Sequence, residues 1–212
     1  MMADLILYTN PQSRGRIVRW MLEEVGEPYE AEIIPYDQMK SDRYLGINPL
    51  GKVPALKHNG RILTECAAIC AYLADVFPKA GLAPRDEEKA DYYRWLFFAA
   101  GPLEQAVTNN YAGWQPSEEQ QRMFGYGSYD KAVDLIDELF SQRDYLCGDR
   151  FTAADVYLGS AVLWGTQFGT LPQRESFTRY VERLKAREAF QRGWQKDDEA
   201  QAQIQPAQPQ PA

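Results

Sequence analysis

Ser13 stands between a short apolar run, Leu5-Ile6-Leu7-Tyr8, and a segment in which Ile17, Met21, Leu22 and Val25 recur with helical spacing. A hydroxyl at a strand-to-helix junction can donate to an anion, and the partial positive charge of the helix N-terminus favours the same ligand. Ser13 can equally cap a helix that starts at Arg14. Arg14 and Arg16 follow it, and either could add positive charge, although Arg16 reads better as part of a solvated face. Val53-Pro54 is a second candidate: Pro54 has no N–H, and in the cis form the backbone groups of Val53 turn outward, where they can pair with an extended ligand chain. Only about 5–6% of X-Pro bonds are cis in folded proteins, so the dipeptide alone does not decide the isomer. Glu65-Cys66 is the third, at the start of an apolar-periodic run. There an acid can offset the helix dipole, and a first-turn thiol is either one with a lowered pKa or a small buried filler.

Composition removes several other chemistries. The single histidine, His58, all but excludes a histidine-based zinc site, and a hydrolase triad would have to use it from within a hairpin. The three cysteines, Cys66, Cys70 and Cys147, make neither an even disulfide set nor a metal-type Cys-x-x-Cys, so we expect no metal and a reducing compartment. A net charge of −7 argues against a broad nucleic-acid surface. No apolar run approaches the ~20 residues of a membrane span, and the opening residues lack the pattern of a secretory leader. A cytoplasmic location is expected.

The elements that must position these residues follow from pattern. Residues 5–8 read as a buried strand, 14–25 as a helix stopped by Gly26, and 32–34 as a second strand, a β-α-β unit with parallel strands. Residues 38–45 suggest a short helix. Asn59-Gly60 joins the runs 55–58 and 61–64 in a type I′ hairpin, because both turn positions need positive φ. Ile69, Tyr72, Leu73 and Val76 then mark the next helix. The order β-α-β-α-β-β-α is the thioredoxin arrangement.

Beyond a linker at 75–84, strand-like runs cease. Residues 86–110 predict a helix with Tyr93, Leu96, Phe97, Ala100, Leu103 and Val107 on one side and a kink at Gly101-Pro102. Tyr129, Val133, Ile136 and Phe140 mark another helix, in a segment starting near Ser117. Thr152-x-x-Asp155 is a capping box, with Phe151 and Val156 as its staple, for a helix over 153–164. Two short helices, 174–185 and 186–194, complete the reading, and the Gln/Pro-rich end is too polar to fold. The expected division is a thioredoxin-like α/β domain over 1–80, an all-α helical bundle over 86–197, and a disordered tail over 198–212.

The sequence resembles the cytosolic glutathione transferases of bacterial type. What carries the resemblance is Val53-Pro54 before a hairpin, Glu65 opening the next helix, and Thr152-x-x-Asp155 in an all-helical second domain; it extends over about residues 4–195. It implies that Pro54 is cis, that glutathione is a substrate, and that Ser13 is the catalytic residue, with Thr9, Asn10 and Arg14 as other candidates near the thiol. The tripeptide would contact Val53, Pro54, Glu65, Cys66, Lys52 and Lys40. Of these, Glu65 takes the γ-glutamyl ammonium, the Cys66 N–H takes its carboxylate, and Lys52, ahead of Lys40, meets the glycyl end. Cys66 departs from the family's commoner serine, so a hydroxyl contact is lost.

A free thiol has a pKa of ~8.5, and half-ionisation at neutral pH needs ~2 kcal/mol. One hydrogen bond to a charged group contributes ~1.5–3 kcal/mol, so Ser13 alone could suffice. A hydrophobic small-molecule electrophile would sit between the domains against Tyr8, Phe98, Tyr111, Trp114 and Phe168, and a homodimer is implied. A glutathione-dependent disulfide or peroxide reductase, which shares the tripeptide site, and a non-catalytic binding protein of the same fold are the alternatives, and Cys66 could separately form a mixed disulfide or sense redox state.

Overall fold

The structure, a computed structural model, describes residues 4–204. It divides into two units: the chain up to Ala80 together with the chain from Ala186 onward, and Gly81–Lys185.

The first unit is built on a four-stranded sheet of order β2-β1-β3-β4. β1 (Leu5–Thr9) leads to α1 (Gly15–Val25) and returns in β2 (Glu30–Ile33), which pairs with β1 in parallel, Tyr8 opposite Glu32. A 3₁₀ turn (Tyr36–Gln38) and α2 (Asp42–Leu45) stand where one short helix was expected; Ser41 caps α2, its hydroxyl accepting the Tyr44 N–H. β3 (Ala55–His58) runs antiparallel to β1, with Tyr8 opposite Ala55, and β4 (Arg61–Leu63) closes the hairpin. Asn59 and Gly60 have φ of 49° and 78°, as the type I′ turn requires. α3 (Cys66–Val76) follows, with Ile69, Cys70 and Leu73 buried.

In the second unit a 3₁₀ turn (Asp86–Glu88) opens into α4 (Lys89–Phe98), a π-helical turn (Ala99–Leu103) and α5 (Glu104–Tyr111). The expected kink at Gly101-Pro102 is thus a widened turn, which absorbs the missing N–H and the bulk of Pro102 without ending the helix. The buried face is rotated from the expected one. Leu96 and Leu103 are buried as expected, together with Tyr92, Trp95 and Ala99, whereas Tyr93 and Phe97 are 45% and 69% exposed. This stretch is apolar on two faces, and the one bearing Trp95 removes more area from water.

α6 (Glu118–Gln121) and α7 (Tyr129–Gln142) come next, then α8 (Ala153–Phe168) and α9 (Glu175–Lys185). The capping box at α8 is present as read. Gly159 and Gly165 bring neighbours close: an added Cβ would lie 2.3 Å from a Leu184 methyl and 2.5 Å from the Leu171 side chain. Small residues are therefore what lets α8 lie at the centre of the bundle.

The last helix departs most from expectation. α10 spans Glu188–Ile204, so residues 198–204, expected in the tail, are helical; the remainder of that tail lies outside the described residues. α10 packs on α1, although 186–194 was expected to finish the helical domain. This is why α1 is buried nearly all round, Arg19 and Glu23 included, when its periodicity marks a single stripe. Arg19 Nε donates to Asp197 at 2.7 Å with both side chains buried, and Lys196 Nζ donates to Glu23 at 2.5 Å. The Arg187 guanidinium grips Glu24 at 2.6 and 2.8 Å. Charged partners on α1 attract a polar helix that apolar periodicity cannot register.

Candidate functional site

The loop from Asn10 to Arg14 joins β1 to α1, and its backbone is tied carbonyl by carbonyl. The Asn10 carbonyl accepts the Ser13 N–H at 3.0 Å and the Ser13 hydroxyl at 2.6 Å. Gln12 O accepts the Tyr36 hydroxyl at 2.8 Å, and Pro11 O accepts Arg16 Nε at 2.6 Å. Ser13 Oγ in turn accepts the Gly15 N–H at 3.0 Å. The N-cap residue of α1 is Arg14, which has no side-chain cap, and Ser13 stands one residue before it. The Ser13 hydroxyl therefore meets the first helical N–H from outside the helix, and Ser13 is not the expected N-cap; the residue is half-buried at the N-terminus of α1.

The two fallback candidates are built into the interior. Thr9 is fully buried, and its Oγ1 lacks a hydrogen-bond partner among the described residues. A Cβ on Gly15 would lie 1.8 Å from that oxygen, so glycine is what allows α1 to start against β1. Asn10 is 3% exposed: its Nδ2 donates to Ile34 O at 3.1 Å and its Oδ1 accepts the Gln12 N–H at 2.9 Å. Both side chains are buried, and Asn10 shapes the loop that carries Ser13.

Glu65 and Cys66 are brought to the same loop. Cys66 Sγ lies 3.8 Å from the Arg14 carbonyl oxygen, which joins the first turn of α3 to the start of α1. Glu65 precedes that turn with φ 67° and ψ 113°, outside the regions a residue with a Cβ normally occupies, while its carboxylate is exposed. Backbone strain of this kind costs ~1–3 kcal/mol and collects at sites where it sets the aim of a group. One turn along α3, Cys70 is fully buried, and burial pushes its thiol well above the usual range.

The Val53-Pro54 bond is cis. The turn before it is held by a residue that sequence reasoning passed over: Asn48, 4% exposed, donates from Nδ2 to Lys52 O at 2.8 Å and accepts the Leu50 N–H at 3.1 Å. Tyr44 donates its hydroxyl to the same Lys52 carbonyl at 2.8 Å, and burial pushes that phenol up to about 12. Asn-Pro-Leu-Gly is a turn signature, which could have pointed to Asn48. Lys52 is exposed; Lys40 is exposed too, with Nζ donating to Leu50 O at 2.8 Å.

The aromatic candidates fare unevenly. Tyr8, expected in an apolar pocket, is instead a core residue at 7% exposure, edge-on to Tyr44, because its position on β1 faces the sheet's covered side. In the other unit Phe98 packs on the Ala106, Tyr126 and Ala132 cluster. Tyr111, Phe168 and Trp114 are 81%, 71% and 39% exposed, and Trp114 meets Phe124 edge-on at 5.4 Å. His58 is buried in β3, its ring nitrogens against Tyr72 and Asn59 at 2.8 and 3.2 Å, which is a structural role. Among the described residues no group of three or more potential ligands could hold a metal ion, and no helix is long and apolar enough to cross a membrane.

In this arrangement the loop that carries a hydroxyl donor at a helix N-terminus touches the start of α3, which an exposed glutamate precedes, and two exposed lysines lie in the segment before the cis bond. Such a set suits a ligand with an anionic centre and an ammonium.

The family models described as glutathione S-transferase N-terminal domain and C-terminal domain match residues 13–76 and 111–188. The chain is 31% identical over 151 residues to glutathione S-transferase GstA of Escherichia coli O157:H7, covering 68% of this chain and 73% of that protein. It is also 31% identical over 132 residues to maleylacetoacetate isomerase of Pseudomonas aeruginosa, covering 59% and 62%. Among solved structures, a glutathione transferase homologue from Sulfitobacter with bound glutathione superposes with a TM-score of 0.73 at 25% identity, covering 92% of this chain and 99% of that one. The thioredoxin-like sheet unit, the helical unit and these likenesses together place the chain in the glutathione transferase family.

Proposed function

We propose that the protein binds glutathione on its sheet unit and transfers the thiolate to apolar electrophiles, with Ser13 as the donor to sulfur. One observation carries this reading: the Ser13 hydroxyl is pre-set to be given up. Its oxygen is held by the Gly15 N–H, while its proton rests on the Asn10 carbonyl, which also accepts the Ser13 N–H. Rotation of that proton toward a sulfur leaves no buried group unpaired, so most of the ~1.5–3 kcal/mol of a hydrogen bond to a charged acceptor is available to favour thiolate. The donation from Gly15 makes the hydroxyl a stronger donor, because hydrogen bonds in a chain polarise one another.

The rest of the tripeptide follows the same logic. The exposed Glu65 carboxylate pairs with the γ-glutamyl ammonium, and the Cys66 N–H at the start of α3 takes its carboxylate. The peptide backbone lies along Val53 beside cis-Pro54. Lys52 meets the glycyl carboxylate, ahead of Lys40, whose ammonium is already on Leu50 O. The exposed Tyr111 and Trp114 offer apolar surface to an electrophile, and Tyr93 and Phe97 on α4 offer a face to a second copy of the chain in a cytoplasmic homodimer. A second reading, glutathione-dependent disulfide reduction, is favoured by the half-buried Cys66 thiol at the same loop; mass spectrometry after oxidised glutathione tests it through a mixed disulfide at Cys66.

The primary test is calorimetric titration with reduced glutathione in buffers of different ionisation enthalpy, for the wild type and Ser13→Ala. Wild type should release protons near neutral pH, and the variant should bind with the thiol pKa raised by about 1–2 units. A variant that ionises the thiol as wild type does would remove Ser13 from the mechanism.

A further inference from the structure

We infer that Arg16 is a positioning residue, a bridge through which the C-terminal helix α10 holds the Ser13 loop in the geometry that ionises glutathione; this rests on the function proposed above. The 10–13 loop has three successive carbonyls occupied, two of them by Ser13 and Tyr36 of the sheet unit's own framework. The middle one, Pro11 O, is held by Arg16 Nε at 2.6 Å. A second nitrogen of the same guanidinium, Nη2, donates to Asp198 Oδ1 of α10 at 2.7 Å, and its carbon lies 5.6 Å from the Trp194 ring centroid. Arg16 is therefore not part of a solvated face: its side chain is 17% exposed.

The α10 end of the bridge is itself anchored. Trp194 stacks on Phe190, which stands edge-on to Trp20 of α1 at 5.1 Å. Gly193 brings the two helices together, since a Cβ there would lie 3.2 Å from Trp20 Cα. Asp197, next to Asp198, is locked to Arg19. A planar guanidinium suits this task because its separate nitrogens donate in fixed directions, Nε to the loop and Nη2 to the helix; a lysine ammonium is a point donor that cannot span both. With the bridge cut, Pro11 O loses its donor, the turn that aligns Ser13 loosens, and the hydroxyl no longer meets the sulfur at bonding distance. The effect falls on sulfur alignment, whereas Glu65, Cys66, Val53 and Lys52, which hold the rest of the tripeptide, are untouched.

The test is the pKa of bound glutathione, read from thiolate absorbance, alongside the glutathione Kd and thermal stability, for wild type, Arg16→Met, Arg16→Lys and Asp198→Asn. Arg16→Met should raise the thiol pKa by about one unit, which is tenfold less thiolate below the pKa, with the Kd within about threefold of wild type. Asp198→Asn, at a residue 66% exposed, should fold normally and shift the pKa in the same direction by less. Arg16→Lys should recover only part of the loss. If Arg16→Met and Asp198→Asn melt lower yet keep the wild-type thiol pKa, the bridge only stabilises the fold and the inference is overturned. Full recovery in Arg16→Lys would assign the effect to charge and overturn it too. A wild type that binds glutathione without ionising it, or not at all, refutes the underlying reading and this one with it, an outcome distinct from unchanged variants of an ionising wild type.

Discussion

Replacing Asp155 should strongly destabilise the helical unit. Asp155 is fully buried, and its carboxylate accepts from four donors. Oδ2 takes the Thr152 N–H at 2.9 Å and the Thr152 hydroxyl at 3.0 Å, and Oδ1 takes the Leu146 N–H and the Tyr180 hydroxyl, both at 2.9 Å. Burial pushes this carboxyl up to about 6 against those hydrogen bonds, so at pH 7.5 it is ionised. Asp155→Ala leaves two backbone amides and a phenol buried without an acceptor, at ~1–3 kcal/mol each, for a loss of about 3–9 kcal/mol. That is a large fraction of the 5–15 kcal/mol that holds a typical domain. Asp155→Asn keeps one carbonyl oxygen but sets an NH₂ against an N–H, at a cost of about 1–3 kcal/mol. Tyr180→Phe preserves the stack on Phe140 and removes one donor together with its need, costing at most about 1.5 kcal/mol. Urea unfolding followed by circular dichroism reads the order: at ~2 kcal/mol per molar, Asp155→Ala lowers the midpoint by about 1.5 M or more, Asp155→Asn by less, and Tyr180→Phe least. An Asp155→Ala midpoint within about 0.3 M of wild type would refute the reasoning, because four hydrogen bonds to one buried carboxylate would then contribute nothing net.

Two further outcomes are expected. Glu88 is held by Arg150, whose hydrogen bonding outweighs burial and brings the carboxyl from an ordinary 4.5 down to about 2. As pH falls the unfolded chain takes up the proton first, so this contribution, at most about 3 kcal/mol, is complete above pH 4.5 and lost between there and about 2. Glu88→Gln should flatten the acid melting curve in that window, and equal slopes for both proteins would count against the pairing. Thr9→Val replaces an unpartnered buried hydroxyl with a methyl, so it should be neutral or up to about 1 kcal/mol more stable, with glutathione ionisation intact. Loss of ionisation would return Thr9 to the site.

Local signals carried most of the sheet unit and the helix starts. Asn59-Gly60 dictates its hairpin because both positions need positive φ, Thr152-x-x-Asp155 dictates a helix start because two backbone N–H groups need side-chain acceptors, and Gly26 stops α1 in the left-handed region at φ 77°. Each is a property of a few adjacent residues, so a sequence displays it. The resemblance of the whole order also implies a cis bond at Pro54, which the structure has. What required the tertiary structure depends on which surfaces meet. Helical period cannot choose between the two apolar faces of α4, and it cannot see that α10 and the residue before it cover the polar side of α1 through Arg19, Glu23 and Glu24, because charge pairing across 163 to 178 residues leaves no periodic trace. For the same reason Arg16 reads as solvated until its partners Pro11 and Asp198 are brought to its guanidinium, and the burial of Thr9 in β1 is not legible from its position in the sequence. Sequence determined which groups exist and where elements begin; packing decided which of them a ligand can reach.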